Sequence, residues 1–286
     1  MKSIAQRFFA ARVTVPAFVT LSAVFLAMAT IVPLTGNAKE SPADKPTVVL
    51  IHGAFAESSS WSGITTRLLA EGYPVVAAAN PLRGVKSDAS YVASVIDSIK
   101  GPVILVGHSY GGIVISTAAI GKSNVQALVY VAAFAPDVGE SALTLSSKFP
   151  GSSLGQALAP PVPLSDGNKD LYIQQEKFFE QFAADVPASE AKVMAATQRP
   201  VTEAALNEPA GTPAWKTIPS WFIYGGLDKN IPAAVHAFMA ERAHARKVVA
   251  VKNASHVVMI SHPDALVKMI GDANTATRAN PASVRK

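Results

Sequence analysis

The sequence of 286 residues contains no cysteine, and this absence removes several classes of protein at once. A disulfide-stabilised scaffold, a thiolate metal site and a cysteine nucleophile each need a residue that the chain does not have. Charged residues are also scarce, at 16%, whereas hydrophobic residues make up 49%. A disordered chain has the opposite balance, so the composition indicates a folded protein with a full hydrophobic core.

A cluster of like charges is missing as well, although the formal net charge is +5. Three basic residues lie in the first 38 positions and three in the last fourteen, and neither end contains an acidic residue. The 19 basic and 20 acidic residues between them are scattered singly, without interleaved aromatic residues. Nucleic-acid binding needs a basic stripe or patch, so we expect no nucleic-acid partner.

The first 38 residues have the layout of an export signal. Lys2, Arg7 and Arg12 precede an apolar stretch over residues 13–34, and small residues follow up to Ala38. This order predicts a signal peptide that is cleaved after Ala38, which leaves no stable membrane span and an exported protein, periplasmic or secreted. The alternative is an uncleaved membrane anchor, because about 22 residues could just span a bilayer.

After this segment, short apolar runs alternate with amphipathic stretches. The apolar runs predict buried strands at 47–51, 74–79, 103–106, 125–132, 220–224 and 247–251. The amphipathic stretches predict helices at 61–71, 88–100, 111–120, 232–243 and 263–270. The alternation predicts an α/β fold, in which a six-stranded, mostly parallel sheet is covered by helices on both faces.

A proline-rich stretch interrupts the alternation. Ten of the twenty prolines lie between Pro136 and Pro219, where the helical patterns are short and fall at 171–182, 189–196 and 202–206. We interpret residues 136–215 as a helical cap inserted between two parts of one core, 39–135 and 216–272. Residues 273–286 lack apolar periodicity and are expected to form a flexible tail.

Ligands of open α/β sheets bind at the carboxyl ends of the strands, so functional residues are expected directly after strands. The motif Gly107-His108-Ser109-Tyr110-Gly111 follows the third predicted strand and precedes a helix. A serine in such a sharp turn projects its hydroxyl over the sheet, and the flanking glycines make room for the turn. The helix N-terminus also favours negative charge that develops there. Ser109 is therefore predicted as a nucleophile.

A serine nucleophile needs a base to accept its proton, and six histidines are available. His256 follows the last predicted strand by a short loop, and we predict that it is the general base. The other five are interpreted as structural residues in turns (His52 and His108), as a helix cap (His262) or as surface residues (His236 and His244).

The imidazole in turn needs a carboxylate to hold its tautomer and to stabilise its charged form. Asp228 directly follows the fifth predicted strand, and Asp137 follows the fourth. Either one gives the chain order serine, aspartate, histidine. We favour Asp228, because its loop is next to the strand that precedes His256, and Asp137 remains the alternative.

A tetrahedral intermediate also needs hydrogen-bond donors for its oxyanion. The backbone amide of Tyr110, directly after the predicted nucleophile, is one candidate. The loop after the first strand, His52-Gly53-Ala54-Phe55, offers the amide of Ala54 as the second.

Taken together, residues 47–272 resemble the α/β-hydrolase superfamily, and within it the small esterase branch of plant methylesterases, hydroxynitrile lyases and bacterial carboxylesterase relatives. The matching stretches are VVLIHGAFAESSSW, GPVILVGHSYGG, VQALVYVAAFAPDVGES, WFIYGGLDKNIP and VKNASHVVMISHP. The resemblance implies a Ser109–Asp228–His256 triad, a helical cap over a buried pocket, and neither a cofactor nor a metal.

Two departures from the hydroxynitrile lyases favour ester hydrolysis. Those enzymes resemble one another in a lysine directly after the catalytic histidine and a threonine in the loop after the first strand. In this sequence Val257 follows His256, and the loop after the first strand reads HGAFA, without a threonine. A serine at position 109 also argues against dehalogenase and epoxide hydrolase chemistry, which needs an aspartate there.

We therefore expect a serine hydrolase that cleaves small or medium apolar carboxylic esters through an acyl-enzyme. The alternatives are a lactonase or thioesterase with the same triad, or a weakly catalytic small-molecule binding protein of the same fold. Phe178, Phe179 and Phe182 of the cap either line the substrate pocket or pack the cap on the sheet.

Overall fold

The structure is a computed structural model, and it describes residues 45–279 of the chain. The predicted signal peptide, residues 1–38, lies outside this range, as does the apolar stretch that raised the alternative of a membrane anchor. Within residues 45–279, no helix combines the length and the apolar character that crossing a bilayer requires.

Strands and helices of the described residues are numbered along the chain. The strands are β1 (Thr47–Ile51), β2 (Val75–Ala78), β3 (Val103–His108), β4 (Val125–Val131), β5 (Val162–Pro163), β6 (Lys169–Leu171), β7 (Val201–Thr202), β8 (Ser220–Gly225) and β9 (Lys247–Val251). The helices are α1 (Ser62–Ala70), α2 (Val85–Asp97), α3 (Gly111–Ala118), α4 (Ala142–Ser146), α5 (Leu154–Ala157), α6 (Gln175–Phe182), α7 (Ala188–Thr197), α8 (Glu203–Asn207), α9 (Ala233–Arg242), α10 (Val258–Ser261) and α11 (Pro263–Ala279).

The central sheet contains six parallel strands in the order β2-β1-β3-β4-β8-β9. This confirms the predicted α/β fold, with each of the six strands close to its predicted position. Every residue of β3 and β8 is buried, whereas the edge strand β9 alternates between half-buried and exposed residues. Burial on both faces explains why the inner strands are continuously apolar in the sequence.

The strand order leaves a crevice in the sheet next to the predicted site, between the loops after β1 and β3. The chain runs from β1 outward to β2 and then returns to β3 on the other side of β1. Loops after neighbouring strands that diverge in this way leave a crevice at their carboxyl ends, where α/β sheets bind ligands. The loops after β1 and β3 are the ones that hold Gly53, Ala54 and Ser109.

The segment between β4 and β8 contains strands as well as the expected helices. Helices α4 to α8 lie in it, together with a small antiparallel sheet in the order β5-β6-β7. The prediction of a continuous helix over 171–182 was wrong, because Leu171 ends β6 and pairs with Val201, and α6 begins only at Gln175. Strands of two or three residues are too short to produce a visible alternation in the sequence.

The prediction of a flexible tail from residue 273 was also wrong for its first seven residues. Helix α11 continues to Ala279, and Ala273, Asn274 and Thr277 are buried on one of its faces. The Thr277 hydroxyl donates to the Ala273 carbonyl oxygen at 2.9 Å. Small and polar side chains cover this face, so the helical periodicity of apolar residues that would have revealed it is missing.

Candidate active site

Ser109 lies in a tight turn between β3 and α3, with a backbone φ of +53°. Residues other than glycine rarely adopt this left-handed conformation, which persists only where the surroundings enforce it. The Ser109 amide donates to the Val131 carbonyl oxygen at 3.2 Å, and the Ser109 carbonyl accepts from the Gly112 amide at 3.0 Å. A Cβ atom on Gly107 would lie 2.6 Å from the carbonyl oxygen of Gly111, so only glycine fits there.

The next residue, Tyr110, anchors this turn to helix α2. Its hydroxyl donates to Oδ2 of Asp88 at 3.0 Å, and both side chains are buried. Asp88 also accepts the Arg83 amide at 3.2 Å. Burial raises the pKa of Asp88, against the opposing effect of these hydrogen bonds. The backbone on both sides of the Ser109 side chain is therefore held in place.

His256 and Asp228 meet in the way the sequence predicts for a base and its acid. His256 Nδ1 lies 2.7 Å from Asp228 Oδ2, and both side chains are buried. Asp228 Oδ1 accepts the amides of Asn230 at 2.8 Å and Ile231 at 3.0 Å. Burial opposes the ionised carboxylate, but the charge of His256 and the hydrogen bonds from two histidines outweigh it and lower the pKa of Asp228.

Asp137, the alternative acid, lies elsewhere. Its carboxylate forms an ion pair with Lys216, 2.5 Å from Nζ, and accepts the Val138 amide at 2.7 Å. The hydrogen bond from Lys216 lowers the pKa of Asp137. More than a third of the side chain is exposed, and it makes no hydrogen bond to His256. Of the two candidates, the structure brings only Asp228 to the histidine.

His108 packs against the predicted base and is hydrogen-bonded to its backbone. Its ring lies 4.8 Å from that of His256, and its Nε2–H donates to the His256 carbonyl oxygen at 3.2 Å. Burial, together with the charge of His256, holds the pKa of His108 well below its usual range. His108 is therefore a neutral residue that fixes the backbone of His256.

His52 plays a similar part in the loop after β1. Its Nδ1–H donates to the Gly53 carbonyl oxygen at 3.0 Å, and its Nε2 accepts the Asn80 amide at 3.0 Å. Burial lowers the pKa of His52 to about 4, although the hydrogen bond to Gly53 works in the opposite direction. A neutral imidazole thus ties this loop to the end of β2.

His236 is the functional candidate that the sequence reasoning missed. We expected a surface residue, but the side chain on α9 is completely buried, and Nε2 lies 3.2 Å from Asp228 Oδ2. The ring stacks on Tyr224 with centroids 4.7 Å apart. The signal was present, because His236 shares the buried face of α9 with Met239 and Ala240, three and four positions further on.

The two amides predicted for the oxyanion hole have no hydrogen-bond partner in the part of the chain that the structure describes. Ala54 and Tyr110 are buried, and both line the same cavity as Ser109 and His256. Between residues 45 and 279, neither amide donates a hydrogen bond to another group. Because buried amides are nearly always paired in folded proteins, both are available to an acceptor in the cavity.

The cavity has a volume of about 610 Å³ and a mainly apolar wall. Its apolar lining comes from both the core and the inserted segment and includes Phe134, Leu143, Leu154, Leu158, Phe182 and Leu206. Phe182 also packs on the His256 ring at 5.0 Å, with Phe178 behind it at 4.9 Å, whereas the Phe179 side chain is 37% exposed. Of these three phenylalanines, only Phe182 lines the cavity.

Ser109 and His256 face the cavity together without a direct hydrogen bond between their side chains. Such contacts in hydrolases are often long before substrate binds and shorten in the complex. The assembled groups are a hydroxyl in a strained turn, an imidazole bound to a carboxylate, and two free amides. This set can perform acyl transfer.

Comparison with known proteins agrees with the fold. A sequence profile described as the alpha/beta hydrolase family matches residues 48–269. Methylesterase 7 of Arabidopsis thaliana is 26% identical over 247 residues, which cover 78% of this chain and 94% of that protein. The pyrethroid hydrolase of Sphingobium wenxiniae is 27% identical over 261 residues, which cover 82% of this chain and 92% of that protein.

A solved structure shares the fold. The crystal structure of polyneuridine aldehyde esterase superposes with a TM-score of 0.69 at 18% sequence identity. The superposition covers 80% of this chain and 98% of that one. These relatives confirm the resemblance to the small esterase branch that the sequence motifs indicated.

Proposed function

Because the chain belongs to the alpha/beta hydrolase family, we propose that it is a serine esterase, which cleaves carboxylic esters through an acyl-enzyme. One observation carries the proposal. A single cavity is lined by Ser109, by His256 bound to Asp228, and by the unpaired amides of Ala54 and Tyr110. Acyl transfer requires a nucleophile, a base with its acid, and donors for an oxyanion, and the cavity contains all of them.

The first half of the reaction forms the acyl-enzyme. Ser109 Oγ attacks the ester carbonyl while His256 Nε2 accepts the hydroxyl proton. Asp228 holds the proton of His256 on Nδ1, which leaves the lone pair of Nε2 directed to the cavity. When the tetrahedral intermediate collapses, His256 gives this proton to the departing alkoxide, which leaves as the alcohol.

The second half releases the acid. A water molecule attacks the acyl carbon, His256 accepts its proton, and the proton then returns to Ser109 Oγ. In both halves the negative charge on the carbonyl oxygen is bound by the amides of Ala54 and Tyr110. These amides are held in place before substrate arrives by the anchoring of Tyr110 to Asp88 and of His52 to Asn80.

The cavity favours apolar esters of medium size. Its volume of about 610 Å³ lies within the range of pockets that enclose drug-sized ligands. Leucine side chains of the inserted segment form much of the wall, so an alkyl or aryl group gains by leaving water there. Two of the relatives are a methylesterase and a pyrethroid hydrolase, which supports an ester substrate.

The test is the hydrolysis of p-nitrophenyl esters from acetate to decanoate by the wild-type protein and by Ser109→Ala. We expect the wild type to be active and Ser109→Ala to lose at least 10³-fold in kcat. The matched control is Ser90→Ala, since Ser90 is exposed on α2 and does not line the cavity. Activity that survives in Ser109→Ala would overturn the mechanism.

The same assay separates the alternative functions. Faster turnover of lactones or thioesters than of esters would indicate a lactonase or a thioesterase with the same residues. Tight binding of esters without turnover by the wild-type protein would indicate a binding protein of this fold.

We also propose that the protein is exported, on the basis of the basic, apolar and small-residue order of its first 38 residues. The test is the N-terminal sequence of the protein recovered outside the cytoplasm of an expressing bacterium. A first residue of Lys39 agrees with cleavage after Ala38, and retention of residues 1–38 contradicts it.

A further inference from the structure

Two histidines share one oxygen of the Asp228 carboxylate. Oδ2 lies 2.7 Å from Nδ1 of His256 and 3.2 Å from Nε2 of His236. Oδ1 is occupied by two backbone amides, from Asn230 and Ile231. The carboxylate thus accepts four hydrogen bonds, and His236 is the one donor among them that neither belongs to the Asp228 loop nor serves as the proposed base.

The surroundings of His236 define its protonation state. The side chain is completely buried and stacks on Tyr224. Burial lowers the pKa of His236, and the charge of His256 acts in the same direction, whereas the contacts with Asp228 and with the backbone of Ala133 act in the opposite one. A neutral ring whose Nε2 faces a carboxylate must carry its proton on Nε2, so His236 is an N–H donor to Asp228.

We propose that His236 is a positioning residue, which acts on His256 through Asp228 and sets the pH range in which His256 can accept the proton of Ser109. This inference rests on the proposed function. His236 is absent from the cavity wall, so it does not touch substrate. Its N–H holds the plane of the carboxylate and binds part of the negative charge that Asp228 would otherwise direct entirely at His256.

Loss of the His236 N–H should change the pH dependence of ester hydrolysis in one direction. Without the N–H of His236, Asp228 stabilises the protonated form of His256 more strongly, and the base is then occupied by a proton up to a higher pH. Titratable groups near the two histidines include His108, whose ring lies 4.8 Å from that of His256, and Tyr224, which stacks on His236. Asp185 also lies nearby and accepts a hydrogen bond from the hydroxyl of Ser255, next to His256. None of these three groups is hydrogen-bonded to Asp228, so removal of the His236 N–H leaves their contacts unchanged.

A matched pair of variants separates the effect of the N–H donor of His236 from the effect of its ring packing. His236→Phe keeps an aromatic ring on Tyr224 but removes the N–H, whereas His236→Gln removes the ring and keeps an amide N–H. For His236→Phe we expect the acid limb of the kcat/KM profile to move up by about half a pH unit or more, because one hydrogen bond to an ion has been lost. We expect kcat at pH 6 to fall more than at pH 8, with KM nearly unchanged.

His236→Gln is expected to keep the wild-type acid limb. If both variants lose thermal stability while their acid limbs stay in place, His236 has only a packing role and the proposal is overturned. An unmoved limb in a folded His236→Phe protein overturns it as well. Failure of the proposed function looks different, because Ser109→Ala would then retain activity whatever the profiles of the His236 variants.

A measurement on the wild-type protein keeps the proposal testable if His236→Phe does not fold. In ¹⁵N-histidine NMR spectra, His236 should show a neutral ring with its proton on Nε2 at pH 7. A proton on Nδ1, or a protonated ring at this pH, would overturn the proposal.

Discussion

Gly53 and Ser109 are in contact at the point where the loops after β1 and β3 meet. A Cβ atom on Gly53 would lie 2.5 Å from the Cβ of Ser109 and 2.7 Å from the His108 carbonyl oxygen. Real Cβ atoms do not approach other atoms so closely, and one of the two atoms is rigid backbone. The loop that offers the Ala54 amide can therefore lie beside Ser109 only because residue 53 has no side chain.

Replacement of Gly53 by alanine should push these two loops apart. We expect Gly53→Ala to lose about 100-fold in kcat, since small displacements of reacting groups have effects of this size. Overpacking should also lower the free energy of unfolding by about 1–3 kcal/mol. Ester hydrolysis and urea unfolding measure the two effects.

Gly63→Ala is the control for this substitution. Gly63 lies in α1, and the atom nearest to the position that a Cβ would take there is the flexible Nη1 of Arg67, at 3.6 Å. Alanine should leave activity unchanged and should not lower stability, because the added methyl group meets no rigid atom in the first turn of α1. Equal losses in both variants would refute the close contact at Gly53.

The identity of the acid follows from a comparison of two aspartates. Asp228→Asn keeps the shape of the side chain but cannot stabilise protonated His256, and we expect kcat to fall by about 10³ to 10⁴-fold. Asp137→Asn removes a partly exposed ion pair with Lys216, which is worth about 1 kcal/mol or less. Its kcat should equal that of the wild type. A larger loss in Asp137→Asn than in Asp228→Asn contradicts the assignment.

The cavity predicts how chain-length preference can be changed. Gly155 lines the cavity, and no atom lies within 4 Å of the position of its Cβ, so a larger side chain can enter the free space. In Gly155→Phe we expect kcat/KM for decanoate esters to fall at least tenfold, while acetate esters are little affected. Gly271→Phe, at an equally uncrowded position in α11, should keep the wild-type preference. An unchanged preference in Gly155→Phe would show that acyl chains bind elsewhere.

Three buried histidines make stability depend on pH. Burial lowers the pKa values of His52, His108 and His236, and that of His52 falls from 6.5 to about 4. Below pH 6.5 the unfolded chain binds protons that the folded protein excludes, so stability decreases as the pH falls. His52, with a pKa of about 4 in the folded protein, should by itself remove about 2 kcal/mol between pH 7 and pH 5.

Urea unfolding at the two pH values tests this dependence. A His52→Asn variant lacks one of the three titrations, so its stability should fall by about 2 kcal/mol less over the same interval. A wild-type protein whose stability is the same at pH 7 and pH 5 would contradict the neutral, buried state of these rings.

The sheet and the proposed triad could be predicted from the sequence because each had a strong local signal. Buried parallel strands are short apolar runs, and β1 and β9 lie where these runs predicted them. Ser109 lies between a strand and a helix, and the turn fixes it locally. His256 and Asp228 follow strands that are neighbours in the sheet, and parallel strands bring their carboxyl ends together.

The features that escaped prediction depend on contacts between distant parts of the chain. The pairing of β6 with β7 joins segments about 30 residues apart, and neither strand has a periodicity of its own. His236 is a polar residue on an apolar helix face, and only the folded structure shows that Asp228 is its partner. The choice between Asp228 and Asp137 likewise required a distance to His256, which the sequence does not contain.

The central claim is that Ser109 becomes acylated, and a fluorophosphonate probe tests it directly. The probe should label the wild-type protein once per chain, and hydrolysis should be lost in proportion to labelling. Trypsin releases residues 101–122 as one peptide that holds both Ser109 and Ser116, and fragmentation distinguishes them. We expect the adduct on Ser109 and none in Ser109→Ala. An adduct on another residue, or full ester hydrolysis after complete labelling of Ser109, would contradict it.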